Sequence, residues 1–138
     1  MIDSYRINIK NELDELATVS QKLEELTEKW EVDMGIAMNL SLCLEEALTN
    51  VIFYAYPKGE SGDILVTFQL ESGSVSVGIE DEGIAFNPLT DSKEPDLEAS
   101  IEDRQIGGLG IHFIKQFMDE LDYQRINNKN QIVFSKKI

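Results

Sequence analysis

The run "DMGIAMNLSLCLEEALTNVIFYAYP", Asp33 to Pro57, constrains this chain more than any other stretch. Its apolar residues recur nearly all the way round a helical wheel, so a helix made of it must be covered on most sides by the rest of the chain. Asp33 is placed to cap its start, and Pro57 with Gly59 to stop it. Inside this greasy segment sit Glu46 and Asn50, one helical turn apart and therefore on one face. Such a pair can be a solvated stripe or two halves of a site. A carboxylate there could act as a general base on a proton within reach. An Asn carbonyl oxygen is an acceptable ligand for a hard Mg²⁺ ion. Burial favours purpose, because an acid in apolar surroundings needs a partner.

The flanking segments supply the cover. "YRINIK" alternates apolar and polar residues and reads as a first strand. "NELDELATVSQKLEELTEKW" places Leu13, Leu16, Leu23, Leu26 and Trp30 on one helical face, with Asn11 as its expected N-cap. "DILVTFQLESGSVSVGIED" is a hairpin, with Val66, Phe68 and Leu70 facing Val75, Val77 and Ile79 across an "ESGS" turn. The acidic stretch "LTDSKEPDLEASIEDRQI" has little periodicity and reads as a long connection, a length usually associated with function or disorder. A third amphipathic helix follows through Ile111, Ile114, Phe117 and Met118, and "DYQRI", "NNKN" and "QIVFSKKI" close the chain as a hairpin. The pattern implies an α+β fold: a two-layer α/β sandwich with a mixed, mostly antiparallel sheet and three helices on one face. At 138 residues the whole chain, 1–138, is expected to be a single domain.

Charge narrows the function. Twenty-six acidic against twelve basic residues leave a formal net charge of -14. That balance disfavours contact with a nucleic-acid backbone or an anionic membrane and would steer a basic protein partner inwards. The single cysteine, Cys43, lies in an apolar helical context without metal-ligand spacing and reads as a buried structural thiol. The N-terminus lacks the pattern of a secretory leader, and no window reaches the roughly 18 apolar residues of a membrane span. A reduced, cytoplasmic setting is expected.

Two further patches could carry chemistry. In "EDEGIAFNP", Asp81 ends a strand and Gly83 follows two residues later. The carboxylate could accept a hydrogen bond from an exocyclic amine such as adenine's, with Gly83 leaving room for a flat ring; the alternative is an ordinary Asp-x-Gly turn. In "GGLGIHFIK", Gly107, Gly108 and Gly110 precede a helix whose N-terminus could cradle phosphate. No Lys-Ser or Lys-Thr follows, so it is not a P-loop.

In this order the three patches resemble the boxes of the histidine-kinase-like ATPases: Glu46-Ala47-Leu48-Thr49-Asn50, then Asp81-Glu82-Gly83-Ile84-Ala85-Phe86-Asn87-Pro88, then Gly107-Gly108-Leu109-Gly110-Ile111. The "GIAFNP" box and the tail from Gly107 make the chain most similar to the anti-sigma factor serine/threonine kinases of that superfamily. The resemblance implies a Bergerat-type ATP-binding fold with an ATP lid at about residues 89–110. It implies ATP and Mg²⁺ as cofactors, with Glu46 as general base and Asn50 as metal ligand. Asp81 and Gly83 match the adenine-reading pair, and Ala85 occupies a position that is Gly in many relatives. Gly107, Gly108, Leu109 and Gly110 match the phosphate-facing hinge of the lid. Arg104, just before those glycines, could offset charge on the transferred phosphate or pair with Asp103 or Glu102. Lys115 and His112 read as surface or packing residues. Tyr54 stands one turn beyond Asn50, where many members carry His or Lys.

The partners implied are a sigma factor and an anti-sigma antagonist protein, with a phosphatase as a further candidate. The first strand and helix could also form a homodimer interface. The activity implied is phosphorylation of a serine on the antagonist together with sequestration of the sigma factor. The alternative is a non-catalytic ATP-binding module that gates a contact with a phosphatase or antagonist domain.

Overall fold

The computed structural model describes residues 2–57, 59–85 and 114–138. The chain opens with strand β1 (Asp3–Lys10), followed by helices α1 (Glu15–Lys29) and α2 (Met34–Tyr54). A hairpin of β2 (Asp63–Glu71) and β3 (Ser74–Asp81) comes next, and a second hairpin of β4 (Glu120–Ile126) and β5 (Lys129–Lys137) ends the chain. Residues 114–117 are helical as well, and Ile114 is fully buried. The five strands form one sheet in the order β1-β2-β3-β5-β4. All four ladders are antiparallel, so the described sheet has no parallel pair where a mixed one was expected. The reason is topological: β4 runs in the same direction as β3, but β5 lies between them and separates the pair.

Alternation decides which face is covered. Ile64, Val66, Phe68 and Leu70 of β2, Val75, Val77 and Ile79 of β3, and Ile132 and Phe134 of β5 share one core with Val19, Leu23 and Leu26 of α1 and Leu40, Leu44 and Leu48 of α2. Period two on the strands and a helical stripe on the helices thus meet in one apolar layer. Both hairpins turn through two consecutive residues in the left-handed region, Ser72 and Gly73 (φ 52° and 74°) and Asn127 and Asn128 (φ 54° and 63°). These turns match the twist of the strands they join.

Helix α2 begins as its sequence directs. The Asp33 carboxylate accepts hydrogen bonds from the amides of Gly35 (3.0 Å) and Ile36 (3.4 Å). Helix α1 does not: Asn11 is not its cap. The α1 cap position falls at Asp14, which makes no side-chain cap bond. Asn11 instead donates to the Glu60 carbonyl (2.9 Å) and accepts from the Gly62 amide (2.9 Å), fastening the entry of β2 to the exit of β1. Leu13 consequently precedes the helix and is exposed, while Leu16 is only partly buried. Trp30 is buried, and its indole donates to Asp3 (2.9 Å).

Helix α2 is less enclosed than its composition suggested, since Met34, Met38, Phe53 and Tyr54 are exposed. By length and composition it is also apolar enough to cross a membrane, with a mean hydropathy of 1.3, contrary to the expectation from sequence. Its packing gives it a different place: Leu40, Cys43, Leu44, Ala47 and Leu48 are buried in the common core. Burial pushes the Cys43 thiol up to about 11, with the nearby Glu46 charge adding to the effect. It is the inert structural thiol expected.

Candidate functional site

A small pocket opens between the C-terminal half of α2 and the end of the sheet. Ala47, Asn50, Val51 and Tyr54 line it from the helix, and Ile79, Asp81, Asn130 and Ile132 from β3 and β5. The walls are mainly apolar and the few polar groups stand at fixed points, the usual make-up of a small-molecule site. Spacing on α2 explains the helix side, because residues 47, 50, 51 and 54 are successive neighbours on one helical face.

Asp81 is the last inward-facing residue of β3, in step with Val75, Val77 and Ile79, so alternation places a carboxylate among apolar groups. It is only 4% exposed. Its Oδ1 accepts hydrogen bonds from the Gly83 amide (2.9 Å) and Asn130 Nδ2 (3.0 Å). Oδ2 makes no hydrogen bond among the described residues. Burial raises the Asp81 pKa above its ordinary value, opposed by those two hydrogen bonds and by the nearby Arg125 charge.

The loop after Asp81 is clamped from three directions. The Ile84 amide donates to the Ala55 carbonyl (2.8 Å), Arg125 donates to the Gly83 carbonyl (2.8 Å), and Asn130 donates to the Ile84 carbonyl (2.7 Å). Tyr56 adds a fourth tie: its hydroxyl accepts from the Glu82 amide (2.9 Å) and donates to the Asp63 carbonyl (2.6 Å). Gly83 has a role the sequence did not disclose. A Cβ there would lie 2.0 Å from the Ala55 carbonyl oxygen. The space freed by the missing side chain is therefore taken by the end of α2, and close packing of two main chains fixes this residue. Ala85 is exposed beyond the clamp.

On the helix side, Asn50 is buried to 9% exposure and Glu46 is half-buried one turn earlier. Neither side chain makes a hydrogen bond or ion pair among the described residues. Desolvation raises the Glu46 pKa, and repulsion from Glu45 raises it further. Such a carboxylate takes up a proton more readily than an exposed one. Tyr54 lies on the pocket wall, in line with Asn50 as its spacing indicated. Lys115 is exposed. Arg104, Gly107, Gly108, Leu109, Gly110 and His112, with the 89–110 lid, lie outside the described residues.

These groups suit a purine nucleotide. A mainly apolar pocket holds the Asp81 carboxylate on one wall, and the Asn50 amide, without a hydrogen-bond partner among the described residues, stands on the opposite wall. Among the described residues no three His, Cys, Asp or Glu side chains could hold a metal by themselves. Sharing a metal's shell between one side chain and substrate oxygens is the habit of Mg²⁺ in phosphate sites.

The profile described as "Histidine kinase-like ATPase domain" matches residues 9–136. The chain belongs to that family. It is 33% identical over 110 residues to the serine/threonine-protein kinase BtrW of Bordetella bronchiseptica, covering 80% of this chain and 75% of that protein. It is 27% identical over 124 residues to an anti-sigma F factor of Clostridium perfringens, covering 89% and 80% respectively. The fold is similar to a crystal structure of the RsbU and RsbW domains of a Mycobacterium tuberculosis protein, with a TM-score of 0.71 at 14% identity. That match covers 98% of this chain and 32% of the other, so this chain spans about a third of its structural neighbour.

Asn130 and Arg125 carry no role in the sequence reading, and Tyr123 enters it only as part of the tail that resembles the family. Tyr123 donates to Asn130 Oδ1, which turns the Asn130 amide so that its nitrogen faces Asp81. A signal was present for Asn130: it occupies the same inward parity of β5 as Ile132 and Phe134, where a polar residue demands a buried partner.

Proposed function

We propose that this ATPase-family domain is a serine/threonine-protein kinase of the partner-switching kind, which phosphorylates a serine on an anti-sigma antagonist protein and sequesters a sigma factor. The observation that carries the reading is the meeting of Asp81 and Asn50 on opposite walls of one pocket, with Glu46 one turn before Asn50. Its relatives, a serine/threonine-protein kinase and an anti-sigma F factor, support it.

Asp81 reads the exocyclic amine of adenine through Oδ2, held in place by Asn130 and Gly83 on Oδ1. Asn50 offers its amide oxygen to Mg²⁺. When bound, MgATP supplies the phosphoryl group and the metal offsets its negative charge. Glu46 takes the proton from the attacking serine hydroxyl, a task suited to a carboxylate whose proton affinity has been raised. Gly107, Gly108, Leu109 and Gly110, which match the family's phosphate-facing hinge, would hold the phosphates, and Arg104 would offset their charge. The domain spans 1–138 and works in the cytoplasm, with the phosphatase contact and the homodimer as further parts of the same proposal.

The test is transfer itself. The full chain is incubated with γ-labelled ATP, Mg²⁺ and the candidate antagonist domains of its own genome. Phosphoserine on one of them, lost in Glu46→Gln while MgATP binding persists, is the expected result. Intact partner exchange by Glu46→Gln, with no phosphoserine from the wild type, would favour the non-catalytic module.

A further inference from the structure

A second concavity lies apart from the pocket, between the C-terminal half of α1 and the N-terminal half of α2, with a volume of about 570 Å³. Met34, Met38 and Leu42 line it from α2, and Glu24, Glu28 and Glu45 are the charged residues on its walls. Met34 is 78% exposed and Met38 is 67% exposed. Met34 and Met38 are four residues apart on α2 and so form one contiguous apolar patch, the kind of surface that marks a protein contact rather than scattered exposure. Methionine also adapts its shape to whatever it meets and is over-used at surfaces that bind helices.

We infer that this groove is a docking site for a basic amphipathic helix of a partner protein. Charge complementarity selects that occupant. Among the described residues, every ionisable side chain lining the groove is a glutamate, so a helix with an apolar stripe flanked by Lys or Arg satisfies floor and walls together. A second copy of this chain fits poorly, because it carries a net charge of -14 and would bring like charge to acidic walls. Nucleic acid and anionic lipid are repelled for the same reason. The inference goes beyond the kinase reading and does not depend on it, since none of the groove residues lines the nucleotide pocket.

The probe is a fluorescein-labelled helical peptide of Leu and Lys with one apolar face, titrated into the full-length chain. Controls are a scrambled peptide of the same composition and a Leu/Glu analogue. Saturable binding of the amphipathic basic peptide alone is expected. It should weaken about tenfold or more in Met34→Lys/Met38→Lys and again in Glu24→Lys/Glu28→Lys. Amide chemical-shift changes should centre on α1 and the first half of α2, and MgATP affinity should be unchanged in both variants. Equal binding of the scrambled peptide would reduce the effect to overall charge and overturn the inference. So would absence of saturable binding, shift changes centred elsewhere, or sedimentation showing that the Met34→Lys/Met38→Lys change dissociates a homodimer.

Discussion

On the strand side of the pocket, Asp81 is held by the Gly83 amide and Asn130, while Ala55, Arg125 and Tyr56 pin the loop behind it. On the helix side, Glu46 and Asn50 project from α2 with no side-chain partner among the described residues. Among the described residues, one wall has its polar groups paired and the other does not. A recognition group needs fixed geometry before the ligand arrives, whereas groups that meet a metal and a moving proton need unspent hydrogen-bonding capacity. The contrast makes a claim for mutagenesis: changes on the helix side should damage chemistry and spare the fold. Changes to the strand-side clamp should damage both.

The largest effect is expected from Glu46→Gln. It should lower serine phosphorylation by about 10²- to 10⁴-fold and leave MgATP affinity and melting temperature nearly unchanged, as calorimetry and thermal denaturation would report. The wild-type rate should rise with pH through a midpoint above the ordinary Glu range, because burial and then Glu45 hold the proton on. Glu45→Gln removes the repulsion, so that midpoint should move down. A fall in ATP affinity parallel to the loss of rate would place Glu46 in binding and dissolve the contrast.

Next comes Gly83→Ala. The added carbon meets a backbone oxygen at 2.0 Å, so α2 or the loop has to move. Destabilisation of about 3 kcal/mol is expected, with ATP binding lost alongside. Denaturant unfolding with an unchanged midpoint would mean that the clamp yields freely. Asp81→Asn is smaller and more selective. The Asn amide can still accept from Gly83 and Asn130, but it presents a donor where Oδ2 offered an acceptor. Affinity for ATP should fall by about ten- to a hundredfold, and the fold should persist.

The same division explains what could be read from the sequence. Groups that act within a few residues were legible: the Asp33 cap, both hairpins, and the Glu46 to Asn50 spacing on one helix face. Groups that act across the chain were not. Asn11 looked like a helix cap, but its amide is committed to Glu60 and Gly62, whose proximity depends on the pairing of β1 with β2. Gly83 looked like room for a ring, whereas the end of α2 occupies that room. Asn130 meets Asp81 because β3 pairs with β5 in one register, setting those two residues opposite each other. Local pattern shows that Asn130 faces inward. Only the register shows what it faces.

The smallest effect bears on the cost of keeping a charge on the strand wall. Asp81 titrates near 3.8 in the unfolded chain and at a higher pH in the folded one, since burial outweighs its two hydrogen bonds. Between those values the folded state holds the proton more tightly than the unfolded state. Stability therefore falls as pH rises through the window, with the penalty absent below the unfolded pKa and complete above the folded one. Asp81→Asn lacks this component. The difference in unfolding free energy, variant minus wild type, should thus grow in the variant's favour across the window and become level above it. Asp3, held down by the Trp30 indole and Lys29, and Asp119, held down by the Lys137 amide, lose stability in the opposite sense as pH falls. Both are common to the two proteins and cancel in the difference. Urea unfolding across this range with and without MgATP would complete the comparison. A pH-independent difference would show that the two hydrogen bonds and the Arg125 charge fully offset the burial of the Asp81 carboxylate.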